Sequence, residues 1–224
     1  MDSRLTPGAV RELLSADARQ VAPRLLGSVL TNEGRDGLVS VRITEVEAYL
    51  GPHDSLHPDP GSHTFRGATA RNAPMFGPAG HLYVYFTYGL HHCANIVCGP
   101  AGTASALLLR AGEIVAGEAL ARARRPTSKS PKDLASGPAR LATALGLTTA
   151  DSGRDALDAP FRLEVPPGPA SGISSGPRVG VSGAGGTHHY PWRFWLSGDP
   201  TVSRYKAAKA RSAGAVAPAS RVDG

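Results

Sequence analysis

The residues of this chain that could do chemistry are concentrated between positions 45 and 110, around the carboxylate of Glu47. Aromatic residues make up only 6% of the sequence, yet four of its six tyrosines fall within that segment: Tyr49, Tyr83, Tyr85 and Tyr88. Flat aromatic faces suit the binding of a planar ring, and a carboxylate beside a bound ring can act as a general acid or base. We therefore predict a site that holds a ring and carries out chemistry on it.

The overall composition indicates a basic, globular chain. It has 224 residues, with 24 Lys+Arg against 18 Asp+Glu and a formal net charge of +6. This length allows one large domain or two small ones. Most of the basic residues are arginines, which suit bidentate contact with phosphate, so a polyanionic partner such as nucleic acid fits the charge. A generally basic surface in an arginine-rich chain is the alternative.

Several classes of protein are disfavoured. The two cysteines, Cys93 and Cys98, lie five apart with no matching pair, so no disulfide framework is predicted. The same cysteines with His91 and His92 do not match a zinc-site spacing, and we expect no metal and no cofactor. No apolar signal region or stretch of 18 apolar residues is present. We therefore expect a soluble, cytoplasmic protein without membrane contact.

The periodicity of the chain predicts strands, then helices, then strands. In order, these are short helices within 7–27, a strand from Val29, a hairpin loop over 32–37, strands over 38–47, 82–88, 95–98 and 106–110, helices over 113–125 and 137–145, and strands over 178–182 and 193–196. Pro23 fits the first turn of a helix and Gly27 its end. Hairpin connections predict a single α+β domain over 1–205. The Ala/Ser/Lys/Arg-rich residues 206–224 are predicted to be a disordered basic tail.

The strand over 38–47 decides where Glu47 points. Val39, Val41 and Ile43 share one face, and the same parity places Glu45 and Glu47 on that apolar face. A β-bulge would shift the alternation by one residue and reverse this inference.

Five segments of the chain form a pattern when they are taken together and in order. They are 47–52 (EAYLGP), 62–67 (SHTFRG), 71–76 (RNAPMF), 83–89 (YVYFTYG) and 107–111 (LLLRA). Together they resemble the alkyladenine (3-methyladenine) DNA glycosylase family, of the Mpg-like type, over about residues 25 to 196. Each segment is weak evidence alone, but five in register make the resemblance specific.

The resemblance implies a fold, a reaction and a partner. It implies one compact mixed domain with a curved antiparallel sheet and surrounding helices, acting on double-stranded DNA that contains damaged purines. We expect the protein to act as a monomer. The implied reaction is hydrolysis of the bond between base and sugar after the purine has been flipped out of the duplex. It involves no metal and no covalent enzyme intermediate, and it initiates base excision repair. A nucleoid-associated location follows from the DNA substrate. Which alkylated or deaminated purine is preferred stays open.

The resemblance also implies roles for individual residues. Glu47 matches the family's catalytic acid, which we interpret as the general base for the attacking water, and Arg110 matches an arginine that orients the site. The base pocket is expected to contain Tyr49, Tyr85, His63 and Asn95: the tyrosines would stack on the ring, His63 would contact its edge, and Asn95 would discriminate against guanine. No lysine lies among these residues, so we do not expect lyase chemistry.

Other matching residues are expected to contact the DNA. Tyr88 matches the tyrosine that enters the gap left by the flipped base, and Leu90 and His91 are expected beside it. Arg66 and Arg71 are candidates for phosphate contacts. A second group of arginines, Arg122, Arg124 and Arg125, could bind phosphate or form the solvated face of a helix.

The chain departs from the family pattern before His63. Tyr49 and His63 are 14 positions apart, more than is usual in the family, because of extra residues at 53–58. His57 is closer to the usual spacing, but the residues around His63 match the family string better, and we choose His63.

Two other classes of function remain as alternatives. One is a non-catalytic lesion-binding protein on the same fold, against which the intact Glu47 and Arg110 argue. The other is an enzyme or binding protein directed at RNA, because positive charge and stacking rings also suit RNA.

Overall fold

A single antiparallel sheet organises the protein in the computed structural model, which describes residues 4–87 and 89–208. Its strands are β1 (Val29–Gly34), β2 (Gly37–Tyr49), β3 (Leu82–Thr87), β4 (His91–Val97), β5 (Ala106–Ala116), β6 (Phe161–Glu164), β7 (Ile173–Gly176) and β8 (Arg193–Leu196). The main order is β3-β4-β5-β2-β1-β6, and β8 pairs with both β2 and β7.

The long strand β2 shapes the sheet. One of its edges pairs with β5 along most of its length. The other edge pairs with β1 as far as Arg42 and with β8 from Glu45 to Glu47. Because β2 changes partner halfway along, the sheet curls into a half-barrel.

Helices pack against the face of the sheet that presents the apolar side chains of the main core. They are α1 (Pro7–Leu14), α2 (Ala18–Leu25), α3 (Glu118–Arg124) and α4 (Pro138–Leu145). α2 packs against β2, and α4 packs against β4 and β5. The start of α1 shows why the chain turns helical there: the Thr6 side chain accepts a hydrogen bond from Ala9 N, and Pro7 occupies the first helical position. The predicted α+β class with a curved antiparallel sheet is confirmed.

The predicted helix over 113–125 begins too early. β5 continues to Ala116, and α3 begins at Glu118. The reason is that Glu113 and Ile114 pair with β2, and this pairing overrides the local helical pattern. Gly117, with φ of 74°, turns the chain from strand to helix, and a Cβ at this glycine would lie 1.9 Å from Leu38 O.

Other local predictions also need correction. Residues 178–182 form no strand, because the amides of Val179 and Gly180 donate to the Glu47 carboxylate and to Lys206 O instead of to a neighbouring strand. The segment 150–177, predicted to be irregular, contains β6 and β7. Pro23 lies inside α2, not in its first turn.

The expected disorder of the tail lies almost entirely outside the described residues. Of 206–224, only 206–208 are described.

Candidate functional site

A change of parity in β2 turns Glu45 and Glu47 away from the main core. Before the change the buried core takes Val41 and Ile43, and after it the core takes Val46 and Ala48. The register shifts at this point, because Ile43 pairs with Gly112 but Glu45 pairs with Ala111. The expectation that both carboxylates lie on the apolar face is therefore wrong, and the bulge alternative is the one observed.

Four neighbouring strands present alternate residues to the side of the sheet that faces away from this core. The pairs are Glu47 and Tyr49 on β2, Tyr83 and Tyr85 on β3, Cys93 and Asn95 on β4, and Leu108 and Arg110 on β5. Their chain neighbours Ala48, Val84, Ala94 and Leu109 belong to the main core. The period of two along each strand thus places all eight side chains together.

These side chains line a cavity of about 400 Å³. Six of the residues predicted from the sequence lie in its wall: Glu47, Tyr49, His63, Tyr85, Asn95 and Arg110. The rest of the wall includes Met75 and the irregular segment 179–182. His57, the alternative to His63, lines a different and mostly apolar cavity of about 490 Å³ beside the extra residues 53–58.

Three donors converge on Glu47, which has no exposed surface. Val179 N donates to Oε1 at 2.6 Å, and the Tyr49 hydroxyl donates to Oε2 at 2.9 Å. Arg110 Nη1 also lies 3.4 Å from Oε2. Hydrogen bonds to a carboxylate stabilise its charged form, so this arrangement offsets the cost of burying the acid.

Glu45 is a second buried carboxylate, and it was not among the site residues predicted from the sequence. Its Oε1 accepts from Arg110 Nε at 3.1 Å and from Arg193 Nε at 2.5 Å, and its Oε2 accepts from Ser203 N at 2.7 Å. Arg110 therefore bridges Glu45 and Glu47. Burial alone would lower the pKa of Arg110, but the charges of the two carboxylates outweigh it and raise that pKa. The i, i+2 spacing predicted that the two glutamates share a face, but no pattern in the sequence marked Glu45 as part of the site.

Aromatic rings form another wall of the cavity. The rings of Tyr83 and Tyr85 lie 5.4 Å apart, and His63 stands edge-on to Tyr85 at 4.6 Å. His63 Nδ1 lies 3.2 Å from the Tyr83 hydroxyl. Burial raises the pKa of Tyr49 and of Tyr85, so both remain neutral phenols at pH 7.

The electrostatic surroundings keep His63 neutral as well. Although its surface is partly exposed, desolvation by the surrounding protein, followed by the charge of Arg71, lowers the pKa of His63 below 6.5. A neutral imidazole offers one donor and one acceptor, and the Tyr83 hydroxyl engages one of the two nitrogens.

Asn95 and Cys93 complete the floor of the cavity. The Asn95 amide donates to Tyr83 O at 2.9 Å, which fixes the orientation of its side chain. Cys93 is opposite Tyr85 in the β3–β4 pairing, and burial raises the pKa of its thiol. Cys93 and Cys98 are both free thiols.

The described residues among those predicted to contact DNA do not line the cavity. Leu90 and His91 are exposed at the turn between β3 and β4, and Leu90 is 74% exposed. Tyr88, the predicted wedge, lies outside the described residues. Arg66 and Arg71 are exposed, and Arg71 donates to Phe86 O at 2.9 Å and lies over the Tyr85 ring.

The second group of arginines is engaged within the protein. Arg122 pairs with Glu118, Arg124 pairs with Asp36, and Arg125 donates to the carbonyl groups of Asp133 and Leu134. The side chains of Arg124 and Arg125 are therefore largely covered by the protein, whereas that of Arg122 is 41% exposed.

Asp59 and Arg178 form a buried ion pair that the sequence did not predict. Arg178 directly precedes Val179, whose amide donates to Glu47. Asp59 belongs to the irregular stretch before His63, and Arg178 was assigned to a strand. Asp59 belongs to no periodic pattern, and the strand predicted over 178–182 gave no sign of the partner of Arg178.

Residues 4–87 and 89–208 contain neither a metal-binding cluster nor a membrane-spanning helix. No group of three or more His, Cys, Asp or Glu side chains in these residues is placed to hold a metal ion. No helix in the same residues is long and apolar enough to cross a membrane.

The fold and the cavity define an α+β protein that encloses a ring-sized space between tyrosines and a buried carboxylate. The family model described as methylpurine-DNA glycosylase (MPG) matches residues 12–200. The chain belongs to this family.

Relatives across several bacteria agree with this assignment. A protein of Streptomyces avermitilis is 55% identical over 201 residues, covering 88% of this chain and 91% of the relative. A protein of Leifsonia xyli subsp. xyli is 55% identical over 200 residues, covering 88% and 92%. A protein of Mycobacterium tuberculosis is 46% identical over 197 residues, covering 87% and 93%. Each of the three is named "Putative 3-methyladenine DNA glycosylase".

Proposed function

We propose that this protein is a monofunctional DNA glycosylase that hydrolyses the N-glycosidic bond of alkylated or deaminated purines flipped out of duplex DNA. Membership of the methylpurine-DNA glycosylase family and the names of its relatives support the reaction class. The observation that carries the proposal is the place of Glu47, a buried carboxylate with three donors at the wall of a cavity lined by tyrosines.

Glu47 acts as the general base in this proposal. Water attacks the sugar C1′, its proton passes to the Glu47 carboxylate, and the C1′–N bond breaks with its electron pair leaving on the base. The negative charge of Glu47 also stabilises the positive charge that develops on the sugar. The products are a free base and an abasic sugar, and no bond to the enzyme is formed.

Arg110 orients the acid. Its guanidinium contacts Glu45 and Glu47 at once and therefore fixes the Glu47 carboxylate relative to that of Glu45. Glu45 is itself held by Arg193 and by the backbone of Ser203. This anchoring suits a site in which a water must meet the carboxylate at a defined angle.

The damaged base is held by its faces and its edge. Tyr49 and Tyr85 offer aromatic faces, which bind an electron-poor or cationic purine more strongly than a neutral one. His63 is neutral and can donate or accept at the base edge. Asn95 acts as a polar and steric filter against the exocyclic amino group of guanine. A cavity of about 400 Å³ suits one base rather than a stretch of strand.

The turn between β3 and β4 contacts the duplex. Tyr88 fills the gap left by the flipped base, and the exposed Leu90 and His91 beside it touch the DNA. Arg66 and Arg71 contact phosphates flanking the lesion. The protein acts as a monomer on DNA in the cytoplasm, at the nucleoid.

The deciding experiment is base release from duplexes that carry hypoxanthine, ethenoadenine or a methylated purine, for the wild type and for Glu47→Gln. Release by the wild type, with loss of release but retained lesion binding by Glu47→Gln, is expected. Tight lesion binding without release by the wild type would favour the non-catalytic lesion-binding alternative. Stronger competition by single-stranded RNA than by duplex DNA would favour an RNA-directed protein. Strand nicking at abasic DNA would contradict the monofunctional assignment, which agrees with the absence of lysine from the cavity wall within the described residues.

A further inference from the structure

An ion pair that the proposed reaction does not use lies directly behind the Glu47 site. Arg178 and Asp59 face each other through two bonds of 2.6 and 2.7 Å, and the side chains of both are completely buried. The remaining N–H groups of Arg178 donate to Ala48 O at 3.0 Å and to Gly185 O at 2.8 and 3.2 Å. All five guanidinium donors are therefore used.

Arg178 contacts Ala48 and Tyr49, the two residues that follow Glu47 in β2. Its guanidinium lies 4.5 Å from the centre of the Tyr49 ring, and its bond to Ala48 O fixes the backbone between Glu47 and Tyr49. The next residue along the chain, Val179, gives Glu47 its shortest hydrogen bond, at 2.6 Å. The buried Arg178 side chain thus contacts Tyr49, whose ring would stack on the base. Arg178 also comes directly before Val179, whose amide holds Glu47.

Asp59 anchors the opposite side of this arrangement. Besides the two bonds from Arg178, it accepts from Leu50 N at 3.0 Å and from Gly61 N at 2.9 Å. Both of its oxygens are therefore fully engaged. Leu50 follows Tyr49, and Gly61 lies two residues before His63, so Asp59 connects the strand that presents the acid to the loop that presents the histidine.

Two glycines are required around the pair. A Cβ at Gly61 would lie 2.4 Å from Arg178 Nη2 and 2.8 Å from Val181 Cγ1. A Cβ at Gly185 would lie 2.4 Å from Gly61 N. The backbone is therefore packed directly on the guanidinium, which has no space to take another orientation.

We infer that Asp59 and Arg178 are positioning residues that set the Val179 amide and the Tyr49 ring against Glu47. The inference rests on the proposed function. A buried ion pair is a poor source of stability, because apolar residues of similar size often serve as well. An apolar pair could fill the same volume, but it could not hold Ala48 O, Gly185 O and Leu50 N at fixed angles around the acid.

The test compares chemistry with binding in three variants. Arg178→Lys keeps the charge and loses the planar fork, Asp59→Asn keeps the shape and loses the charge, and Asp59→Glu keeps the charge at a different reach. Single-turnover base release is measured with enzyme in excess, and the dissociation constant is measured on a duplex with a non-hydrolysable lesion analogue. Thermal melting shows that each variant is folded at the assay temperature.

We expect Arg178→Lys and Asp59→Asn to slow base release about 10- to 100-fold, the cost of a misplacement on the order of 1 Å. Lesion binding should weaken by a smaller factor, and Asp59→Glu should fall between Asp59→Asn and the wild type. The control is Arg11→Lys, which alters a partly exposed ion pair, with Asp155, outside the cavity. It should lower the melting temperature and leave the rate unchanged.

Three results would overturn the inference. In the first, the folded variants release base at the wild-type rate. In the second, rate and binding weaken in proportion, so that the pair acts on binding alone. In the third, none of the three variants folds, which makes the pair a structural element. A wild type that releases no base at all would instead refute the proposed function, and the inference would fall with it.

Discussion

The Tyr49 hydroxyl donates to Glu47 Oε2 at 2.9 Å from two residues further along the same strand. Residues at i and i+2 share one face of a strand, so the carboxylate and the ring project side by side into the cavity. One strand therefore supplies both the proposed general base and a face for the damaged base. Their separation cannot change without distorting β2, which is paired on both edges here.

Replacing Tyr49 with phenylalanine separates the hydrogen bond that its hydroxyl donates to Glu47 from the aromatic face that its ring offers. Tyr49→Phe keeps the ring but removes a hydrogen bond to a charged group, worth about 1.5–3 kcal/mol. We expect single-turnover base release to fall about tenfold or more, since 1.36 kcal/mol corresponds to a factor of ten. Lesion binding should change little. Tyr205→Phe, at a tyrosine that is 43% exposed and outside the cavity wall, is the control. A faster Tyr49→Phe enzyme would show that the hydroxyl blocks access to Glu47.

Removing Arg110 should destabilise the protein more than removing an exposed arginine. Arg110→Met leaves Glu45 and Glu47 buried without the cation that bridges them. Breaking a buried pair on one side costs about 3–5 kcal/mol. Arg122→Met, which breaks the exposed pair with Glu118, should cost about 0.5 kcal/mol or less. Urea unfolding of both variants at pH 7 tests the difference, and equal losses would mean that Arg110 does not hold the two carboxylates.

The cavity residues were expected from the family resemblance, and Glu47, Tyr85 and Arg110 come together because residues alternate along neighbouring strands. Tyr83 and Tyr85 lie two positions apart on β3, and their rings lie 5.4 Å apart. The direction of Glu47 was not predictable, because the register shift near Thr44 leaves no mark in the alternation. The order of strands and helices similarly indicated the fold class, whereas the end of β5 depended on pairing with β2.

The ion pair between Asp59 and Arg178 shows another feature that cannot be predicted from the sequence pattern. Asp59 and Arg178 are 119 residues apart in the sequence, and both lie in irregular segments. Periodicity reports which face of an element is buried, but it does not report which buried charges meet. The segment after Arg178 was assigned to a strand because its residues alternate, although its amides are used by Glu47 and Lys206.

The stability of the protein should depend on His63 below neutral pH. The pKa of His63 is lowered from 6.5, mainly by desolvation and then by Arg71. Just below pH 6.5 the unfolded chain therefore binds a proton at this residue more readily than the folded protein does. The stability that depends on the neutral imidazole is present above pH 6.5 and is lost as the pH falls below it.

His63→Gln should remove this dependence. Urea unfolding at pH 7.5 and pH 5.5 should show a smaller loss of stability for His63→Gln than for the wild type. Arg71→Gln removes the lesser cause of the shift, so its loss should be intermediate. An identical loss in all three proteins would show that His63 titrates alike in the folded and unfolded states.

The two exposed arginines near the cavity should affect DNA binding in different ways. Each phosphate contact that is lost should reduce the slope of log Kd against log salt by about one. Arg66→Gln should do this and leave the single-turnover rate at saturating enzyme unchanged. Arg71→Gln should reduce the slope and also slow base release, because Arg71 holds Phe86 O and lies over the Tyr85 ring. The control is Arg162→Gln, on β6 at the opposite edge of the sheet from β3. An equal change in slope for Arg162→Gln would mean that the basic surface binds DNA without a preferred face.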